Sequence, residues 1–160
     1  HSFLHDALPI SLARGDVVLC DRFTDATFAY QGHGRGFDLE MLLFLELSVQ
    51  SQQGQSGEMA GKNAGDGVLQ PDMTVWFDLA PEVAARRLAG ARVPDKFEAQ
   101  PTAFFTQVAA GYAARAKAYP QRFVRVDASL SRHQVWQQIT AAMVRRGWLA
   151  IMVAANAGPP

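Results

Sequence analysis

Short continuous apolar runs alternate along this chain with longer stretches whose apolar residues return every three or four positions. Val17–Cys20 ("VVLC") is an unbroken apolar run between Asp16 and Asp21. Such a run predicts a strand covered on both faces, as in parallel sheets. Met73–Leu79 ("MTVWFDL") predicts a second strand of this kind. Arg122–Ala128 ("RFVRVDA") alternates more and predicts a third strand, nearer a sheet edge.

Helical spacing fills the intervals. Asp38 can cap a helix running to about Gln53, with Leu42, Leu45 and Val49 near one face. Pro81 and Glu82 open another, where proline suits the first turn. Phe104, Phe105, Val108 and Tyr112 recur at helical spacing between Pro101 and Tyr119. Ser131 and Gln134 form a capping box, followed by the stripe Val135, Ile139, Met143. Strands alternating with helices predict an α/β layered fold on a mostly parallel sheet with right-handed crossovers.

One stretch breaks the rhythm. Gln50–Gly67 ("QSQQGQSGEMAGKNAGDG") is rich in Gly, Gln, Ser and Asn, and reads as a flexible insert within residues 50–70. Gly57, Gly61 and Lys62 imitate a phosphate-binding loop. That loop needs four residues between its glycines and Ser or Thr after the lysine. Here there are three, Asn63 follows and no strand precedes, so the motif is rejected.

Composition narrows the classes. At 160 residues and 49% hydrophobic, the chain is one domain's worth of globular sequence. Fifteen Lys+Arg balance fifteen Asp+Glu, which argues against a bulk nucleic-acid or anionic-membrane binder. The single cysteine, Cys20, excludes an internal disulfide and a cysteine zinc cluster and fits a reducing cytoplasm. No apolar run approaches the roughly 20 residues of a membrane span. The opening "HSFLHDALPISLARGD" does not read as a signal peptide. The histidines His1, His5, His33 and His133 show no metal-ligand spacing.

Candidate chemistry begins at Asp21-Arg22. In open α/β sheets ligands sit beyond the carboxyl ends of strands. A guanidinium there can fork onto a phosphate, and a carboxylate can hold the water shell of Mg²⁺. Taken alone, the dipeptide reads more readily as an ion pair that solvates a strand end.

The longer motif "DRFTDATFAYQGHGRG" resembles the acceptor segment of thymidylate kinases, which transfer phosphate from ATP to deoxythymidine monophosphate (dTMP). It carries Asp21-Arg22-Phe23, Thr27, Ala29-Tyr30-Gln31-Gly32 and Gly34-Arg35-Gly36. Pro71–Glu98 is similar to the family's fourth strand, following helix and arginine-bearing lid, here residues 90–100. Tyr119–Ser131 is similar to its fifth strand and the loop near adenine. The resemblance covers roughly Leu12–Leu149. It implies a P-loop NTPase-like, three-layer nucleoside monophosphate kinase fold, with ATP and Mg²⁺ as requirements, dTMP as acceptor and a homodimer, for which the helix after Asp38 is the candidate face.

By that resemblance Arg22 would hold the acceptor phosphate. Asp21 would sit near the metal, acting through water. Thr27 would lie at the thymine edge, Tyr30 where a ribose 2′-hydroxyl would project, and Gln31 beside the nucleotide. Arg92 in the lid would cover the ATP phosphates. Asp95-Lys96-Phe97-Glu98 departs from the usual Asp-Arg pattern, and Lys96 keeps the charge without the fork. Arg86 and Arg87 read as a solvated helix face, Gly32, Gly34 and Gly36 as turn chemistry, and Phe104, Phe105 and Tyr112 as core.

The family opens with a strand, a Gly-rich loop ending in Lys-Ser/Thr and an early helix that clamps thymine. This sequence has no such loop. The resemblance therefore implies a domain incomplete at its N-terminus. The strands at Val17 and Thr74 would then lack the one that bridges them. Two alternatives accompany the kinase: a non-catalytic nucleotide- or phosphate-binding fragment or half of a split assembly, and a sibling nucleoside monophosphate kinase.

Overall fold

The computed structural model describes residues 10–50, 68–89 and 102–150. The predicted insert and the lid, with Gly57, Lys62, Arg92 and Lys96, lie outside the described residues except for the ends of the insert. The chain divides into two compact units. One draws on His1–Asp72 and Thr106–Ala118, the other on Met73–Phe105 and Tyr119–Pro160.

In the first unit, the "VVLC" run is not the buried strand its apolarity predicts. Val17 is 87% exposed and Leu19 93%, and no strand is assigned over residues 17–20. β-branched residues become strand when a neighbour takes up their N–H and C=O groups. Among the described residues no strand pairs with this run.

The chain then turns through Arg22 into helix α1 (Thr24–Thr27), which widens without a break into a π-helical turn, Phe28–His33. Gly36 closes it at φ 70°, its N–H donating to the Gly32 carbonyl while that of Phe37 reaches Gln31. Only glycine takes that left-handed angle without strain. Helix α2 (Leu39–Gln50) begins where predicted, with the Asp38 carboxylate accepting from the Met41 N–H at 2.8 Å. Its buried positions are not the predicted stripe. Leu42 is buried with Glu46, one turn on, while Leu45 and Val49 are exposed.

In the second unit, β1 (Thr74–Asp78) and β2 (Phe123–Asp127) pair in parallel, from Thr74 opposite Phe123 to Asp78 opposite Asp127. A parallel pair needs a crossover. Helix α3 (Pro81–Ala89) follows β1, and α4 (Thr102–Ala118) precedes β2. Val126 is wholly buried. Arg122 is buried at the head of β2, donating to Thr74 Oγ1 at 2.6 Å and lying over the Tyr119 and Phe123 rings. Helix α5 (Arg132–Arg145) carries the predicted capping box between Ser131 and Gln134. Its stripe Val135, Ile139, Met143 is half-buried. No helix among the described residues is long and apolar enough to cross a membrane.

Candidate functional site

The first unit holds Asp21, Arg22, Thr27, Tyr30 and Gln31, the residues the resemblance singles out. Arg22 has φ 63°, the one described non-glycine residue in the left-handed region. That conformation costs about 1–3 kcal/mol and persists where surrounding structure enforces it, often at functional sites. It turns the guanidinium over the Tyr30 ring, 5.4 Å from the centroid. Tyr30 meets Tyr112 of α4 edge to face, with centroids 6.4 Å apart and planes at 85°. Gln31 accepts from Arg35 Nη1 at 3.2 Å. Asp21 and Thr27 are exposed. Tyr30 falls in the π-helical turn, a geometry frequent at functional sites.

The opposite face of this helical segment is locked down. Phe28 and Ala29 are buried, Ala29 completely. Ala29 lies so close to α4 that a Cβ on Gly111 would stand 2.7 Å from its Cα. Residue 111 is thus glycine because a backbone passes where a side chain would be.

Tyr112 was expected to be core. It is half-buried and forms the wall behind Tyr30. Burial pushes its hydroxyl up to about 12, helped by Tyr30, Asp25 and Asp21 and opposed by Arg22. At neutral pH it is a proton donor throughout. The sequence signal for this wall was an arginine, Arg115, on the same helical stripe as Val108 and Tyr112. A guanidinium among apolar positions requires buried carboxylates nearby. Asp25 and Glu46 supply them.

The second unit has an open pocket of about 430 Å³ beyond the carboxyl ends of β1 and β2, lined by residues that include Asp78, Arg125, Asp127 and Ser129. Arg125 Nε donates to Asp78 Oδ2 at 2.7 Å. The Ser129 hydroxyl and N–H both donate to Asp127, and with Arg125 nearby they hold its carboxyl below the usual range. Arg87 is exposed, yet it is more than a solvated face. It donates to the carbonyls of Ala128 and Ser129 and so fixes the loop after β2.

Among the described residues no group of three or more His, Cys, Asp or Glu side chains could hold a metal ion. Asp21, just past the 17–20 run, is exposed, and an exposed carboxylate is chemically able to hold Mg²⁺ through its water shell.

Comparison with known proteins gives this arrangement its context. The family model for thymidylate kinases matches residues 2–139. The chain is 59% identical over 144 residues to the thymidylate kinase of Polaromonas sp., covering 88% of this chain and 64% of that protein. It is 58% identical over 146 residues to that of Albidiferax ferrireducens, covering 91% and 64%. With that of Verminephrobacter eiseniae it shares 54% over 157 residues, covering 97% and 66%. The chain thus spans just under two thirds of the length of these curated relatives. A family-model match over most of the chain identifies it as a member of the thymidylate kinase family, with that family's P-loop NTPase-type α/β fold.

Proposed function

We propose that the protein is a thymidylate kinase that transfers the γ-phosphate of ATP to dTMP, giving dTDP for DNA precursor synthesis. The observation that carries the reading is the Arg22–Tyr30 pair: a guanidinium at a strained backbone position beside an aromatic ring, within the segment that resembles the family's acceptor site. Arg22 holds the dTMP phosphate. Tyr30, braced by Tyr112, stands where a 2′-hydroxyl would project, and excludes ribose by bulk. Thr27 and Gln31 contact the base and nucleotide. Phosphoryl transfer asks for positioning and for positive charge on developing oxygens, not for a covalent nucleophile. Asp21 would hold Mg²⁺ through its coordinated waters, and the ion would supply charge neutralisation of the phosphates. Arg92, with Lys96, covers the ATP phosphates and excludes water. The setting is cytoplasmic. A homodimer through α2 fits its outward apolar residues, including Phe44 and Val49.

The test is a coupled ADP-release assay on the complete gene product with ATP, Mg²⁺ and a panel of nucleoside monophosphates. dTMP is the preferred acceptor. Arg22→Ala lowers kcat/KM for dTMP by about 2–5 kcal/mol, the range for losing one partner of a buried charged contact, while circular dichroism stays near that of the parent. A loss within twofold refutes the assignment. Tyr30→Ala narrows the preference for dTMP over its ribo counterpart. Equal losses for both would make Tyr30 a support of the fold. Preference for another monophosphate would favour the sibling-kinase reading.

A further inference from the structure

A buried ionic cluster lies behind the acceptor segment. Arg115 of α4 has a side chain only 9% exposed. Its Nε donates to Asp25 Oδ1 at 2.8 Å, and its Nη2 to Glu46 Oε1 at 3.1 Å. Its guanidinium also lies over the Phe28 ring, 4.1 Å from the centroid. The same Glu46 oxygen accepts from Thr24 Oγ1 at 2.6 Å and Gln70 Nε2 at 3.4 Å. One guanidinium and one carboxylate therefore tie α4 and α2 to three positions of the acceptor segment within about one turn: Thr24, Asp25 and Phe28.

Those positions lie on one face of the helical segment. With about 100° per residue, Tyr30 falls on the opposite face and Thr27 on the flank between the two. Fixing the first face therefore sets the rotation at which Tyr30 and Thr27 are presented. Hydrogen-bonded, buried charges suit this because their geometry is directional where apolar packing is adaptable. We propose that Arg115, clamped by Asp25 and Glu46, is a positioning residue for acceptor recognition: it sets the rotation of the segment 24–33 and thereby the discrimination that Tyr30 exerts. It touches neither substrate nor reacting atoms. The inference rests on the proposed thymidylate kinase reading.

The test uses the complete gene product and isothermal titration with dTMP and its ribo counterpart, alongside steady-state kinetics. Arg115→Met weakens dTMP binding at least tenfold and reduces the deoxy/ribo ratio at least fivefold, while KM for ATP changes less than twofold. Arg115→Lys, which keeps the charge but not the fork, recovers part of the ratio. Should Arg115→Met fail to fold, Glu46→Gln decides. It keeps volume and an acceptor oxygen while Asp25 still pairs with Arg115, and is expected to lower the melting temperature, stay folded at the assay temperature and reduce the ratio severalfold. Folded variants whose ratio stays within twofold of the parent overturn the proposal, whether affinity is retained or falls equally for both nucleotides. If the parent itself binds no dTMP, the kinase reading falls and this proposal with it, a result distinct from any difference between variants.

Discussion

Gly111→Ala puts the packing of the acceptor segment under the most direct strain. The added methyl would stand 2.7 Å from the Ala29 Cα, 3.0 Å from His33 Cβ and 3.1 Å from His33 Cγ, against 3.4–4 Å for ordinary contact. The nearest atom is backbone, which cannot swing aside as a side-chain end can. Two opposed terms decide the outcome. Alanine in a helix interior gains about 0.5–1 kcal/mol over glycine. Overpacking a close-packed site costs about 1–3 kcal/mol, and a backbone obstacle belongs in the upper half of that range. The net expectation is a loss of about 1–2 kcal/mol. With a urea slope of roughly 1–3 kcal/mol per molar, the unfolding midpoint falls by about 0.3–2 M. Because Ala29 precedes Tyr30, KM for dTMP rises severalfold while KM for ATP holds. Urea titration and steady-state kinetics on the complete gene product check both. A midpoint that rises, with KM for dTMP unchanged, would mean that helix propensity alone operates, and would refute the close approach of α4 to the acceptor segment.

Tyr112 keeps its proton in the fold to about 12 against an ordinary 10.0, so its contribution to stability is complete below pH 10 and is lost as pH rises through 12. Among the chain's three tyrosines, phenolate absorbance should show a late-titrating one that Tyr112→Phe removes and Arg22→Ala delays further; titration near 10.0 would refute its packing. Asp127 runs the other way. Its lowered pKa contributes stability above 3.8 that fades as pH falls through the lowered value, and Ser129→Ala should raise that pKa in a carboxyl carbon resonance titration; an unmoved resonance would refute the Ser129 clamp. The 160-residue chain alone contains no Gly-rich loop ending in Lys-Ser/Thr, so it should release no ADP at the roughly 1–100 s⁻¹ of kinases, and should bind a hydrophobic dye. Turnover in that range would return attention to Gly57–Lys62.

Local chemistry was readable from the chain because it is short-range. Ser131 and Gln134 reach each other within one turn, Asp38 caps α2 three residues on, and the parallel strands announce themselves as an apolar run at Thr74 and an alternating one at Phe123. The motif from Asp21 to Gly36 was likewise contiguous, so Arg22, Thr27, Tyr30 and Gln31 could be singled out from the sequence as candidates. What lay beyond reach was decided by partners distant along the chain. The apolarity of "VVLC" predicted a buried strand, but burial requires a neighbour, and Val17 and Leu19 stand exposed. The stripe Leu42, Leu45, Val49 predicted the inner face of α2, yet Glu46 turns inward because Arg115, 69 residues later, offers it a guanidinium. Tyr112 looked like core on helical spacing and stands behind Tyr30 because Gly111 lets two backbones approach. A charged residue is buried only where its counter-charge waits, and that pairing belongs to the folded chain rather than to any window of its sequence.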